Sequence, residues 1–86
     1  MKSREALARN LQKLRVEKGL SQEGLAFSAG IDRTYVSGIE RGCRNPTLDI
    51  VDNLASALGI STAVLLDQGM EHSNGLKLKS GRKPKK

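Results

Sequence analysis

The chain has 86 residues, 37% of them apolar, and a formal net charge of +6. That length holds one small domain with a modest core, and a single cysteine, Cys43, excludes an intrachain disulfide and suits a reducing cytoplasm. No apolar run approaches the roughly 18–20 residues that span a bilayer, and the first residues do not follow a secretory signal pattern. The charge is unevenly placed. Residues 1–76 carry nine Lys or Arg against nine Asp or Glu, and the whole excess sits in Lys77, Lys79, Arg82, Lys83, Lys85 and Lys86. A basic balance points toward nucleic acid or another anionic surface. For the folded part, arrangement of charge has to carry that argument, because its total is zero.

Leu7, Leu11 and Leu14 recur at helical spacing and predict a first helix from about Ser3, read as its N-cap, to Lys18, with Gly19 as the stop. Ser21 caps a second helix, Gln22 to Ala29, closed by Gly30. Asp32 caps a third, Arg33 to Arg41, closed by Gly42, and Cys43-Arg44-Asn45-Pro46 reads as a loop. Thr47 caps a fourth, Leu48 to Leu58, with Leu48, Val51, Leu54, Ala55 and Leu58 as its apolar stripe and Gly59 as its stop. Ser61 caps a fifth, Thr62 to Asp67. Caps contribute about 1 kcal/mol each, and their agreement with the periodicity specifies an all-α domain over residues 1–68. From Gly69 onward Gly, Ser, Lys and Pro replace the apolar residues, so 69–86 is predicted to be a flexible basic tail.

Two short helices joined by so tight a turn need a third element beneath them, since each is marginal alone. Leu25, Ala29, Ile31, Val36 and Ile39 are the inward positions, Ala26 sits where the two helices come closest, and Gly30 supplies the turn. This arrangement resembles the helix-turn-helix of DNA-binding proteins. Around it stands the pattern Gln22-x-x-Leu25-Ala26 … Gly30-Ile31 … Val36-Ser37-x-Ile39-Glu40-x-Gly42 … Pro46-Thr47. That pattern is similar to the Xre family, which includes the phage lambda repressors and Cro proteins, over about Leu7 to Leu66. The phrase DRTYVSGIERGCRN particularly resembles controller proteins of restriction–modification systems, although free-standing Xre regulators share it. The resemblance implies a five-helix lambda-repressor-like fold. It also implies sequence-specific recognition of double-stranded DNA by a homodimer on a two-fold operator. One departure is Gly24, where the family commonly has Glu or Ala. A helix-interior glycine costs roughly 1 kcal/mol relative to Ala, so the second helix should be soft.

Arg33 and Thr34 open the third helix, the end that reaches base edges in this motif. Arg can bond guanine O6 and N7, and Thr can offer a hydroxyl or meet the thymine methyl. Tyr35 suits a phosphate or groove edge, or a ring lying on the helix surface, and Ser37 shares its side. Gly38 projects nothing and offers close approach. Gln22, at the start of the second helix, matches a family residue that bonds a phosphate, and helix N-termini favour anions. Arg41, Arg44, Asn45 and Thr47 resemble backbone-gripping residues. Arg44 could alternatively pair with Glu40 or Asp49. Glu40 matches a family acid that pairs with a basic residue of the first helix, here Arg15, and is read as structural.

Val64 and Leu65 fit a dimer interface or the core equally. Cys43 reads as an ordinary thiol and His72 as a lone histidine. No metal-ligand cluster, cofactor site or nucleophile–base set is present, so no catalysis is expected. The tail could be a solvated end or an arm that tracks phosphates. A second function class is an antitoxin, with the tail binding a toxin protein. The scarcity of apolar anchors beyond Leu76 and Leu78 counts against it.

Overall fold

The computed structural model describes residues 2–69. It contains α1 (Ser3–Glu17), α2 (Gln22–Ala29), α3 (Arg33–Glu40), α4 (Leu48–Leu58) and α5 (Thr62–Leu65), with no strand among the described residues. The predicted five-helix all-α fold is the observed one. The basic tail lies outside the described residues, as does His72.

Local chemistry sets most of the boundaries. The hydroxyls of Ser21, Thr47 and Ser61 accept the backbone N–H of Gly24, Ile50 and Val64 at 2.8, 3.2 and 3.2 Å. Each satisfies one of the donors that a helix start leaves open. Two expected caps differ. Ser3 is already helical, and the cap position belongs to Lys2, whose backbone N–H reaches Glu5 Oε1 at 3.3 Å. Asp32 holds the cap position of α3 with extended backbone but makes no capping bond from its side chain.

At the end of α2, Gly30 has φ 73°, a left-handed backbone that glycine adopts without steric cost. The Gly30 N–H then reaches the Phe27 carbonyl at 3.2 Å, and the Ile31 N–H reaches that of Ala26 at 3.0 Å. This paired closure satisfies carbonyls the helix end would otherwise leave open, and it turns the chain sharply toward α3. The same pair of bonds ends α1 and α4.

The core joins Leu7 and Leu11 of α1, Leu25, Ala26 and Ala29 of α2, Val36 and Ile39 of α3, Val51, Leu54, Ala55 and Leu58 of α4, and Leu65 of α5. α2 packs against both α3 and α4, while α1 supports α3 and α5. Two apolar assignments are corrected. Leu48 is 71% exposed, because the first turn of α4 extends past the core and leaves it on a groove shared with Ser3, Arg4 and Pro46. Leu65 is fully buried and belongs to the core, leaving Val64, 43% exposed, as the surface residue of that pair.

α5 is also shorter than expected, ending at Leu65 rather than Asp67. Buried Asn10 of α1 donates its Nδ2 to the carbonyls of Leu65 (2.9 Å) and Asp67 (2.7 Å). These carbonyls are thereby satisfied without another helical turn, and α5 is fastened to α1.

Candidate nucleic-acid interface

α3 is the centre of the site, and its inner side is fixed by packing and by one ion pair. Val36 and Ile39 are buried. At the last helical residue, Glu40 receives Arg15 Nε on Oε2 at 2.7 Å and Arg15 Nη2 on Oε1 at 3.1 Å. The side chains are only 12% and 4% exposed. Arg15 Nη1 also donates to the Leu20 carbonyl at 2.8 Å. The bond to Glu40 holds the Arg15 guanidinium charged above its ordinary range, with the charge attraction adding and burial opposing. The pairing expected for Glu40 is therefore present and bidentate.

Gln22 joins this cluster. Its Nε2 donates to Glu40 Oε1 at 3.0 Å and ties the start of α2 to the end of α3. The side chain therefore faces Glu40 rather than standing free for a phosphate. One of its two amide hydrogens is committed and the other is left for a second acceptor.

The outer side has different chemistry. Arg33 and Thr34 are exposed at the N-terminal turn of α3. Ser37 is half-buried one turn on from Arg33, and Arg41 Nε points at its Oγ at 3.4 Å. Arg41 also reaches the exposed Cys43 Sγ at 3.6 Å. Tyr35 is half-buried with its ring against the core, and the Arg44 guanidinium carbon lies 5.5 Å from the ring centroid. Arg44 thus stacks on Tyr35; of the two acids considered as its partner, Glu40 is engaged by Arg15, and Asp49 forms no ion pair with it. Asn45 is exposed and shares the groove with Ser3 and Arg4 at the start of α1. Thr47 is exposed and caps α4 through its oxygen, with its hydroxyl hydrogen left to donate.

The space over Gly38 is not open to an approaching ligand, contrary to expectation. A Cβ built there would meet Arg44 Cγ at 2.6 Å. This packing and the Gln22–Glu40 bond are the two features of the site that sequence reasoning missed. The only signal for the first was the glycine itself.

Between Arg33 and Asn45 the sole acid is Glu40, and Arg15 consumes it. The surface is left with Arg33, Arg41 and Arg44 around a helix whose N-terminal turn is open. Among the described residues no group of three His, Cys, Asp or Glu could hold a metal ion, and no helix is long and apolar enough to cross a membrane.

The steep turn, the braced α3 and its cationic outer side define a DNA-binding module of helix-turn-helix type. A helix-turn-helix family model matches residues 11–65. The chain belongs to that family, of Xre type. A Neisseria meningitidis protein described as a hypothetical transcription factor is 48% identical over 63 residues, covering 73% of this chain and 59% of its own length. The control protein C.SmaI of Serratia marcescens is 42% identical over 76 residues, covering 87% of this chain and 90% of its own. The crystal structure of the restriction-modification controller protein C.AhdI from Aeromonas hydrophila superposes with a TM-score of 0.70 at 48% identity, covering 72% of this chain and 94% of that one.

Proposed function

We propose that this chain is a transcriptional regulator that recognises double-stranded DNA by sequence as a homodimer, laying α3 in the major groove. The observation that carries the reading is the division of α3. Its one acid, Glu40, is sequestered by Arg15, and its one arginine, Arg33, is exposed, with Arg41 and Arg44 exposed just beyond the helix. Arg33 and Thr34 meet base edges, and Arg41, Asn45, Thr47 and the free hydrogen of Gln22 hold the flanking phosphates. The start of α2 adds backbone donors to the same contact. The control proteins among its relatives support a role as a restriction–modification controller.

One copy offers few base contacts, so selective binding calls for two half-sites matched by protein symmetry. Val64, exposed on α5, lies in the interface of that dimer.

Selection from a random duplex library tests the reading. It should enrich a two-fold site whose half-sites are about one helical turn apart. Enrichment of no sequence, with binding that salt still abolishes and that disappears on deletion of residues 76–86, would replace it with non-specific attachment through the basic tail.

A further inference from the structure

We propose that the groove between the start of α1 and the start of α4 seats Leu76 and Leu78 of the same chain, and so fixes where the basic tail leaves the domain. Leu7, Leu48, Val51 and Leu66 line this groove, together with Arg4 and Asn45. Leu7 and Val51 are buried beneath it, whereas Leu48 is 71% exposed. An apolar concavity with a leucine standing open beside it is incomplete in water. Its volume of about 260 Å³ falls below the roughly 300–1,000 Å³ of sites that enclose a drug-sized ligand, and suits a pair of aliphatic side chains.

The path of the chain names the occupant. Leu66 lines the groove, and Gln68 Nε2 donates to the hydroxyl of Ser3, another lining residue, at 3.4 Å. The backbone therefore passes Gly69 beside the groove. Residues 70–75 connect that point to Leu76 and reach at most about 20 Å. A connector that short keeps the two leucines at an effective concentration on the order of millimolar at their own groove, so weak apolar contacts are enough.

The pattern of the segment fits as well. Leu76-Lys77-Leu78-Lys79 alternates, so an extended stretch turns both leucines to one side and both lysines to the other. Besides Met70 and Pro84, these leucines are the apolar side chains of residues 70–86. No acid lines the groove among the described residues, so it takes the leucines and leaves the lysines facing out.

The seat itself does not depend on DNA binding, but it gives the tail a place in that function. Asn45 lines the groove and Thr47 follows it, both on the edge assigned above to phosphates. With the leucines seated, Lys77 and Lys79 emerge beside that edge. Less freedom is then lost when they meet a phosphate, and the basic tail becomes an arm with a fixed root.

A spin label at position 80 tests the seat, carried on the full chain with Ser80→Cys and Cys43→Ser. The amides of Ser3, Arg4, Leu48 and Leu66 should lose most of their NMR signal to the label. The signal should return when Leu76→Ser and Leu78→Ser are added, a change that leaves every charge in place. It should also return with Leu48→Ser, which alters an exposed residue and leaves the fold intact. In a mixture of isotope-labelled chain without the spin label and spin-labelled chain without the isotope, these amides should keep their signal. Equal broadening with and without the two leucines would show a tail that passes by without a seat, and would overturn the proposal. So would the absence of broadening in the parent chain. Loss of signal in the mixture would put a second copy in the groove and overturn it too.

Discussion

On the inner side of α3, Val36 and Ile39 are sealed in the core and Glu40 is fastened to Arg15 and Gln22. On the outer side, Arg33 and Thr34 stand in solvent, and Arg44 is laid across the surface from a neighbouring loop. Eight residues therefore serve two demands. The inner side fixes where the helix sits, and a change there costs stability. The outer side bears little of the fold's energy, so its residues can vary with the DNA they meet. The difference explains how one scaffold can carry different specificities.

The largest effect is expected at Glu40. Glu40→Ala leaves the Arg15 guanidinium buried without its acid and should cost about 3–5 kcal/mol in urea unfolding. That is a large share of the stability of a small domain. A loss below 1 kcal/mol would show that packing alone fixes α3. Next is the turn. Gly30→Ala places a Cβ on left-handed backbone and should cost about 1–2 kcal/mol, read as a lowered thermal midpoint.

Gly24→Ala should act in the opposite direction. The added Cβ meets only Ser21 Oγ at 3.2 Å and Leu20 Cδ2 at 3.9 Å. The gain in helix propensity, up to about 1 kcal/mol, should raise the midpoint and firm α2. The smallest effect on stability belongs to Arg33→Ala, expected within about 0.5 kcal/mol of wild type. The same change should weaken binding to the enriched site by about 1–3 kcal/mol in an anisotropy titration. A variant that lost stability and binding together would erase the distinction between the two faces.

Much of this was legible from the residues in order. Ser21, Thr47 and Ser61 announce their helices because a cap is a bond between neighbours. Gly30 announces the turn because the left-handed backbone there disfavours any residue with a Cβ. The Arg15–Glu40 pair was legible only through the family resemblance, since its partners lie 25 positions apart. Periodicity failed where helices meet the limits of the core. It cannot tell that α4 begins beyond the packed layer and leaves Leu48 exposed. Nor can it tell which of the adjacent Val64 and Leu65 turns inward. Asn10 was not legible either, because a buried amide has the same sequence pattern as a surface one. The Arg44–Gly38–Tyr35 arrangement depends on the loop doubling back, and only the folded chain displays it.

The most direct measurement is an amide-resolved NMR titration of the full chain with the enriched duplex. The account predicts the largest shifts at Arg33, Thr34, Ser37, Gly38 and Arg44, with Val16 of α1 and Ser56 of α4 nearly unmoved. Shifts confined to residues 76–86, with the amides of α3 in place, would contradict it.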